Sequence, residues 1–316
     1  MTVTDVIARL QAQDQVLILT HRRPDGDTIG CAVGLCETLR AAGKTAWVLD
    51  NPDATKLFTP YLSGHIAPAD FKPEYVVSVD IATLGLLGEN AKGYGARGID
   101  LAIDHHPSNE GFAKENYVEA DKASCGEILY KIALGLGELT PAIALPLYMA
   151  VSTDTGCFVY GNTTPNTHRV AAELMAVGIP YQALNKRHFR TKSFKRLQVE
   201  ALLMDGMHLY DGGLIAVAAL SLEMMASLDA HEEDVEDIAA FMGQIEGVKT
   251  SVTIRELCPG ECKLSMRTDP KILNATDTCA ILGGGGHAAA SGCTVLGSVT
   301  EAETAILAAI RQVQHG

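Results

Sequence analysis

Short apolar runs alternating with helix-patterned segments fill the first two hundred residues, and that alternation leaves the chain few architectures. QVLILT (15–20), KTAWVL (44–49), YVVSV (75–79) and IDLAI (99–103) read as buried strands. Between the first two, TIGCAVGLCETLRAAG (28–43) carries apolar residues at helical spacing and stops at Gly43. Strand, helix and strand in succession predict the α/β class, a parallel sheet covered by helices on both faces. Residues 124–136, 141–151 and 166–177 read as further helices.

After about residue 205 the texture changes. HLYDGGLIAVAAL reads as two strands across an Asp-Gly-Gly turn, and VKTSVTIRE with CKLSMRT as a hairpin joined by CPGE. A helical C-terminus, VTEAETAILAAIRQVQ, follows. At 316 residues the chain exceeds what one core organises. The expected division is a first domain over 1–190, a linker helix over 191–205 and a smaller α/β domain over 206–316, with an active site in the cleft between domains. The acidic run HEEDVED (231–237) reads as a solvated helix end.

Composition narrows the partners. Apolar residues make up 47% of the chain and no stretch approaches the ~18 needed to cross a bilayer. The N-terminal MTVTDVIARLQAQDQ lacks a basic stub and apolar run, so a cytoplasmic protein with no membrane association is expected. A net charge of −13 argues against long duplex DNA as partner, because a protein holding phosphates over a length of duplex needs a basic face. The eight cysteines contain no C-x-x-C, and reduced thiols are expected. Apolar helices such as 141–151 could serve as a homodimer face.

Ligands in open parallel sheets bind beyond the carboxyl ends of strands. There the sequence places His21-Arg22-Arg23-Pro24-Asp25-Gly26-Asp27 after the first strand, Asp80 after the third and Asp104-His105-His106 after the fourth. Asp154, in Ser-Thr-Asp-Thr-Gly, follows the helix 141–151. Taken alone, Asp25 and Asp27 read equally well as a helix N-cap and turn. Together the five aspartates and three histidines suit a pair of divalent cations such as manganese. Two ions ~4 Å apart can generate a bridging hydroxide and stabilise both oxygens of an in-line phosphoryl displacement.

The ordered set resembles the DHH phosphoesterase family, whose name is the triplet at 104–106. H-x-x-P-D-x-D at 21–27, Asp80, the triplet and Asp154 follow the family's order, and the likeness covers nearly the whole chain. Gly283-Gly284-Gly285-Gly286-His287, followed by AAASG, looks like the signature of the DHH-associated domain. The resemblance implies that His21, Asp25 and Asp80 hold one metal, and that Asp27, Asp80, His105 and Asp154 hold the second. Asp80 would then be the shared catalytic ligand. It also implies that His106 lies beside the scissile phosphate, with Asp104 behind, orienting a histidine ring. The family often has a lysine after the glycine-rich histidine, where Ala288 stands here, one cation fewer for a distal phosphate.

The second domain has a physical reading of its own. Backbone N–H groups of Gly284, Gly285 and Gly286 can approach an anion closely, His287 follows, and Arg267 can grip phosphate through its planar fork. Lys186, Arg187, Arg190, Lys192, Lys195 and Arg196, with Phe189 and Phe194 among them, form a basic stretch. It reads either as a solvated helix face or as a funnel for a short oligonucleotide. The expected activity is hydrolysis of short single-stranded oligonucleotides, or of nucleoside bisphosphates, to nucleoside 5′-monophosphates. A manganese-dependent inorganic pyrophosphatase is the alternative, and a non-catalytic nucleotide sensor a further one.

Overall fold

The computed structural model describes residues 1–235 and 238–315; the last two residues of the acidic run 231–237 lie outside them. The chain divides into two compact units, Met1–Thr191 and Lys192–Gly316.

The first unit runs α1 (Val3–Ala12), β1 (Val16–Leu19), α2 (Gly26–Ala41), β2 (Ala46–Val48), α3 (Thr59–Leu62) and β3 (Tyr75–Val79). It continues through α4 (Lys92–Arg97), β4 (Leu101–Asp104), β5 (Glu115–Val118), α5 (Cys125–Leu136), α6 (Pro141–Asp154), α7 (Pro165–Ala176) and α8 (Tyr181–Asn185). All five strands are parallel, in the order β2-β1-β3-β4-β5. The chain steps outward on one side of β1 to β2 and on the other to β3, so the topological switch point lies between β1 and β3. Every residue of β1, β3 and β4 is buried, as the apolar runs required. β5 was not anticipated: Glu-Asn-Tyr-Val is short and polar, and only an edge position accommodates it.

A glycine seam joins α2 to α6. A Cβ at Gly26 would meet Thr153 Oγ1 at 2.4 Å, at Gly30 the Pro146 carbonyl oxygen at 2.3 Å, and at Gly34 Leu147 Cδ2 at 2.5 Å. These glycines recur every four residues and so face one way on the helix. The contacts run antiparallel, bringing the N-terminus of α2 to the C-terminus of α6. The helix expected at 141–151 is therefore a core element. Ile143, Ala144, Leu147, Tyr148, Met149, Ala150 and Val151 are buried, which removes it as a dimer face.

The second unit runs α9 (Phe194–Asp205), β6 (His208–Tyr210), β7 (Ile215–Leu220), α10 (Leu222–Ser227), β8 (Thr250–Cys258), β9 (Glu261–Thr268), α11 (Ala275–Ile281), β10 (Gly285–His287), β11 (Ala290–Leu296) and α12 (Val299–His315). Its sheet order is β10-β11-β9-β8-β7-β6. Along β7 the side chains alternate between two cores. Ile215 and Val217 pack with residues of α11 and α12, while Ala216, Ala218 and Leu220 pack with Val199 and Leu203 of α9. The segment 194–205 thus contributes to this unit's core. No helix of the described residues is long and apolar enough to cross a membrane.

Candidate metal centre

β1 delivers His21 to the switch point. Asn51 Nδ2 donates to the His21 carbonyl and to Thr20 Oγ1, both at 2.8 Å, and fixes the backbone there. His21 Nδ1 lies 2.9 Å from the Arg22 carbonyl oxygen, which can only accept, so Nδ1 carries the proton and Nε2 keeps its lone pair. That Nε2 faces Asp25 Oδ1 at 3.6 Å and Asp80 Oδ2 at 3.7 Å. Asp25 is also the N-cap of α2, its Oδ1 accepting from the amides of Asp27 (3.0 Å) and Thr28 (3.1 Å). Cap and candidate ligand are one carboxylate.

Asp27, the second residue of α2, is buried. It accepts from the amides of Cys125 (2.7 Å) and Gly126 (3.0 Å) at the start of α5, and from Cys31 Sγ (3.1 Å). His105 repeats the tautomer of His21: its Nδ1 donates to the Lys122 carbonyl at 3.2 Å. Its Nε2 faces Asp80 Oδ1 and Asp154 Oδ2 at 3.5 Å each and Asp27 Oδ2 at 3.7 Å. Asp80 sits between the two sets in a left-handed backbone conformation, φ 59°. Its Oδ1 is buried with no hydrogen-bond partner among the described residues.

Donor atoms of His21, Asp25 and Asp80 lie within 4.8 Å of one another, as do those of Asp27, His105 and Asp154, and those of Asp80, His105 and His106. The arrangement fits cations. Two imidazole lone pairs point into a cluster of carboxylates, and one buried carboxylate oxygen has nothing to bond. Burial, then the charges of Asp154 and Asp25, push the Asp27 carboxyl well above its usual range. Burial, then Asp27 and Asp25, do the same to Asp80, and burial with Asp25 takes Asp154 up to about 7. Oxygen-rich sites with a few imidazoles suit hard or borderline divalent ions.

Asp104 holds the second histidine of the triplet. Its Oδ1 accepts from His106 Nδ1 and from the His105 amide, both at 2.8 Å, and its Oδ2 accepts from Asn109 Nδ2 at 2.7 Å. The hydrogen bond to Asp104 outweighs burial and raises the His106 pKa. A pocket of about 310 Å³ opens here, lined by His21, Arg22, Arg23, Asp25, Asp80, Leu86, His106 and Asp154.

The residues singled out in the second half lie apart from this cluster in sequence and are held differently. Arg267 on β9 pairs with Ala290 on β11, which pairs with His287 on β10, so Arg267 and His287 share one sheet face. The glycines have a packing reason. A Cβ at Gly284 would lie 2.2 Å from the Gly292 carbonyl oxygen, and one at Gly286 2.7 Å from that of Ala290. In the basic stretch, Arg187 donates to the carbonyls of Lys56 and Leu57. Lys192 and Arg196 pair with buried Glu200, and Lys195 with Asp229. Most of that charge is thereby engaged. Arg190 is exposed and lies near Cys157 in the loop after α6, where burial raises the thiol's pKa against the opposing charge of Arg190.

Sequence reasoning passed over Arg22, Arg23 and Leu86 in the pocket wall, Asn109 behind Asp104, and Cys31 against Asp27. The first pair stood inside the H-x-x-P-D-x-D motif, in the positions that the motif leaves open.

An α/β sheet with acidic and imidazole groups gathered at its switch point defines a metal-assisted hydrolase scaffold. The chain belongs to the DHH family: residues 15–153 match the DHH family N-terminal domain and residues 214–316 the DHHA1 domain. It is 34% identical to the bifunctional oligoribonuclease and PAP phosphatase NrnA of Thermus thermophilus, over 94% of this chain and 89% of that protein. To the protein of the same name from Bacillus subtilis it is 23% identical, over 92% and 93% respectively. In fold it is similar to an exopolyphosphatase-related protein from Bacteroides fragilis, with a TM-score of 0.89 at 23% identity, covering 99% of this chain and 96% of that one.

Proposed function

We propose that the protein is a metal-dependent phosphodiesterase and phosphatase. It hydrolyses oligonucleotides of two to four residues, such as pApA, to nucleoside 5′-monophosphates, and pAp to AMP. The observation that carries this reading is the buried Asp80 carboxylate between two sets of donors, its Oδ1 without a hydrogen bond among the described residues. The names of the relatives supply the substrate class.

His21, Asp25 and Asp80 would hold one ion, and Asp27, Asp80, His105 and Asp154 the other. Two divalent ions, with manganese matching the ligand set, supply positive charge to the reacting phosphate and make water a nucleophile near neutral pH. The chain's own groups do the rest. Asp104 holds the His106 Nδ1 proton, and its hydrogen bond raises the imidazole pKa, which favours a proton on Nε2 for the leaving oxygen. Asn109 keeps Asp104 from turning away. On the second unit, Arg267 and His287 share a sheet face with the turn of Gly284, Gly285 and Gly286 beside them and would bind phosphate or base there, while Arg190 would do so on the first unit.

A substrate panel tests the reading. With manganese, pApA and pAp should be cleaved, and longer RNA and pyrophosphate should be much poorer substrates. Orthophosphate released from pyrophosphate faster than AMP from pApA would make the protein a pyrophosphatase instead.

A homodimer is also proposed, through α9. Phe194 (78% exposed), Leu197, Ala201 and Met204 form an exposed apolar stripe on a helix whose other side is buried. Their spacing of three, four and three residues reads the same in both directions. A two-fold axis crossing the stripe between Leu197 and Ala201 would lay Phe194 against Met204 and Leu197 against Ala201 of a second copy. Sedimentation should give a dimer for the wild type and a monomer for Phe194→Asp/Leu197→Asp; a monomeric wild type would remove the proposal.

A further inference from the structure

Arg22 and Arg23 are exposed and line the pocket beside Asp25, Asp80 and Asp154. Among the described residues neither guanidinium makes a hydrogen bond or ion pair, although carboxylates share the same wall. Successive residues of an extended chain point to opposite sides. Here Arg23 adopts a left-handed conformation, φ 51°, which turns the chain so that both side chains reach one pocket. The loop is pinned on either side of that turn. The Arg22 amide donates to the Leu86 carbonyl at 2.7 Å and the Arg23 amide to Asp53 Oδ2 at 3.3 Å. On a chain of net charge −13, two uncompensated guanidiniums at the mouth of a cavity form a local well for an anion. Their forked donors match a phosphate, which accepts through several oxygens at once.

We propose that Arg22 and Arg23 form a phosphate subsite, selecting nucleotides that carry a second, non-reacting phosphate beside the one being cleaved. This rests on reading the acidic cluster as the phosphoester-cleaving centre. The reacting phosphate belongs to the cluster. The arginine pair takes the other, such as the terminal 5′-phosphate of pApA. The subsite lies wholly on the loop after β1 and so accompanies the metal ligands His21 and Asp25.

The test compares pApA with ApA, which share the scissile linkage and differ by the terminal phosphate. In Arg22→Ala/Arg23→Ala the ratio of kcat/KM for pApA over ApA should fall at least about tenfold, with the loss mainly in KM. Arg22→Lys/Arg23→Lys should recover only part of it, since an ammonium cannot copy the fork. Both side chains are exposed, so the melting temperature should stay unchanged and confirm folding. A proportional loss on both substrates, or none, overturns the proposal. Should the wild type cleave neither, the functional reading fails, and the subsite is judged by calorimetric titration of the manganese-loaded protein with pAp and with AMP. Selective weakening of pAp in the double alanine variant supports it, and equal changes overturn it.

Discussion

Asp80→Asn is expected to lower manganese-dependent cleavage of pApA by about 10³-fold or more, beyond the ~10–100-fold typical when a group behind a metal ligand is lost. The amide keeps the shape but loses the charge that both donor sets share. The same substitution should stabilise the protein without metal. In the folded state the carboxyls of Asp27, Asp80 and Asp154 titrate above their unfolded values, so over that range the folded form binds more protons. Stability then falls as pH rises, from the unfolded carboxylate range (~4) through the Asp154 value of about 7. At pH 8 Asp80→Asn removes one of the repelling charges, and the melting temperature should rise by roughly 2–4 °C for each kcal/mol relieved. Manganese should raise the wild-type melting temperature, more so at pH 8 than at pH 6 because protons compete for the ligands, and should barely move the variant. Full activity in Asp80→Asn, or a wild-type melting temperature indifferent to manganese, would end the two-ion reading.

Gly30→Ala should destabilise the protein by about 3 kcal/mol, the upper end of overpacking costs. The new methyl would lie 2.3 Å from the Pro146 carbonyl oxygen and 2.8 Å from the Ala150 amide nitrogen, backbone atoms that can yield only if α2 and α6 separate. Separation moves Asp27 away from Asp154, so manganese affinity should fall together with the melting temperature. Gly93→Ala is the control: its Cβ meets nothing within 4 Å, and alanine in a helix is neutral or better. Thermal melts showing Gly30→Ala as mild as Gly93→Ala would mean that the seam does not hold the site together.

The strand-end positions of His21, Asp80 and Asp104 were legible because apolar runs mark buried parallel strands and ligands gather beyond their ends. The imidazole chemistry was not. Which nitrogen of His21 or His105 faces the cluster is set by the carbonyls of Arg22 and Lys122, and backbone carbonyls leave no trace in side-chain pattern. The partners of the basic stretch were hidden for a related reason. Lys195 finds Asp229 thirty-four residues away, a pairing that only the tertiary fold creates. Arg22 and Arg23 stayed invisible because a positive φ at an arginine cannot be read from its neighbours. The glycines at 283–286 were read as an anion cradle, and the close approach of β11 to Gly284 and Gly286, a second reason for glycine there, was not legible.

Asp25, proposed as a ligand, is already held as the cap of α2, and this bears on how quickly a cation could exchange there. The amides of Asp27 and Thr28 hold that carboxylate in place whether or not anything else is bound. Little side-chain ordering then remains to be done when a cation arrives, and its departure leaves the rim standing. Loading becomes a matter of shedding water from the ion, with the protein as a rigid receptor.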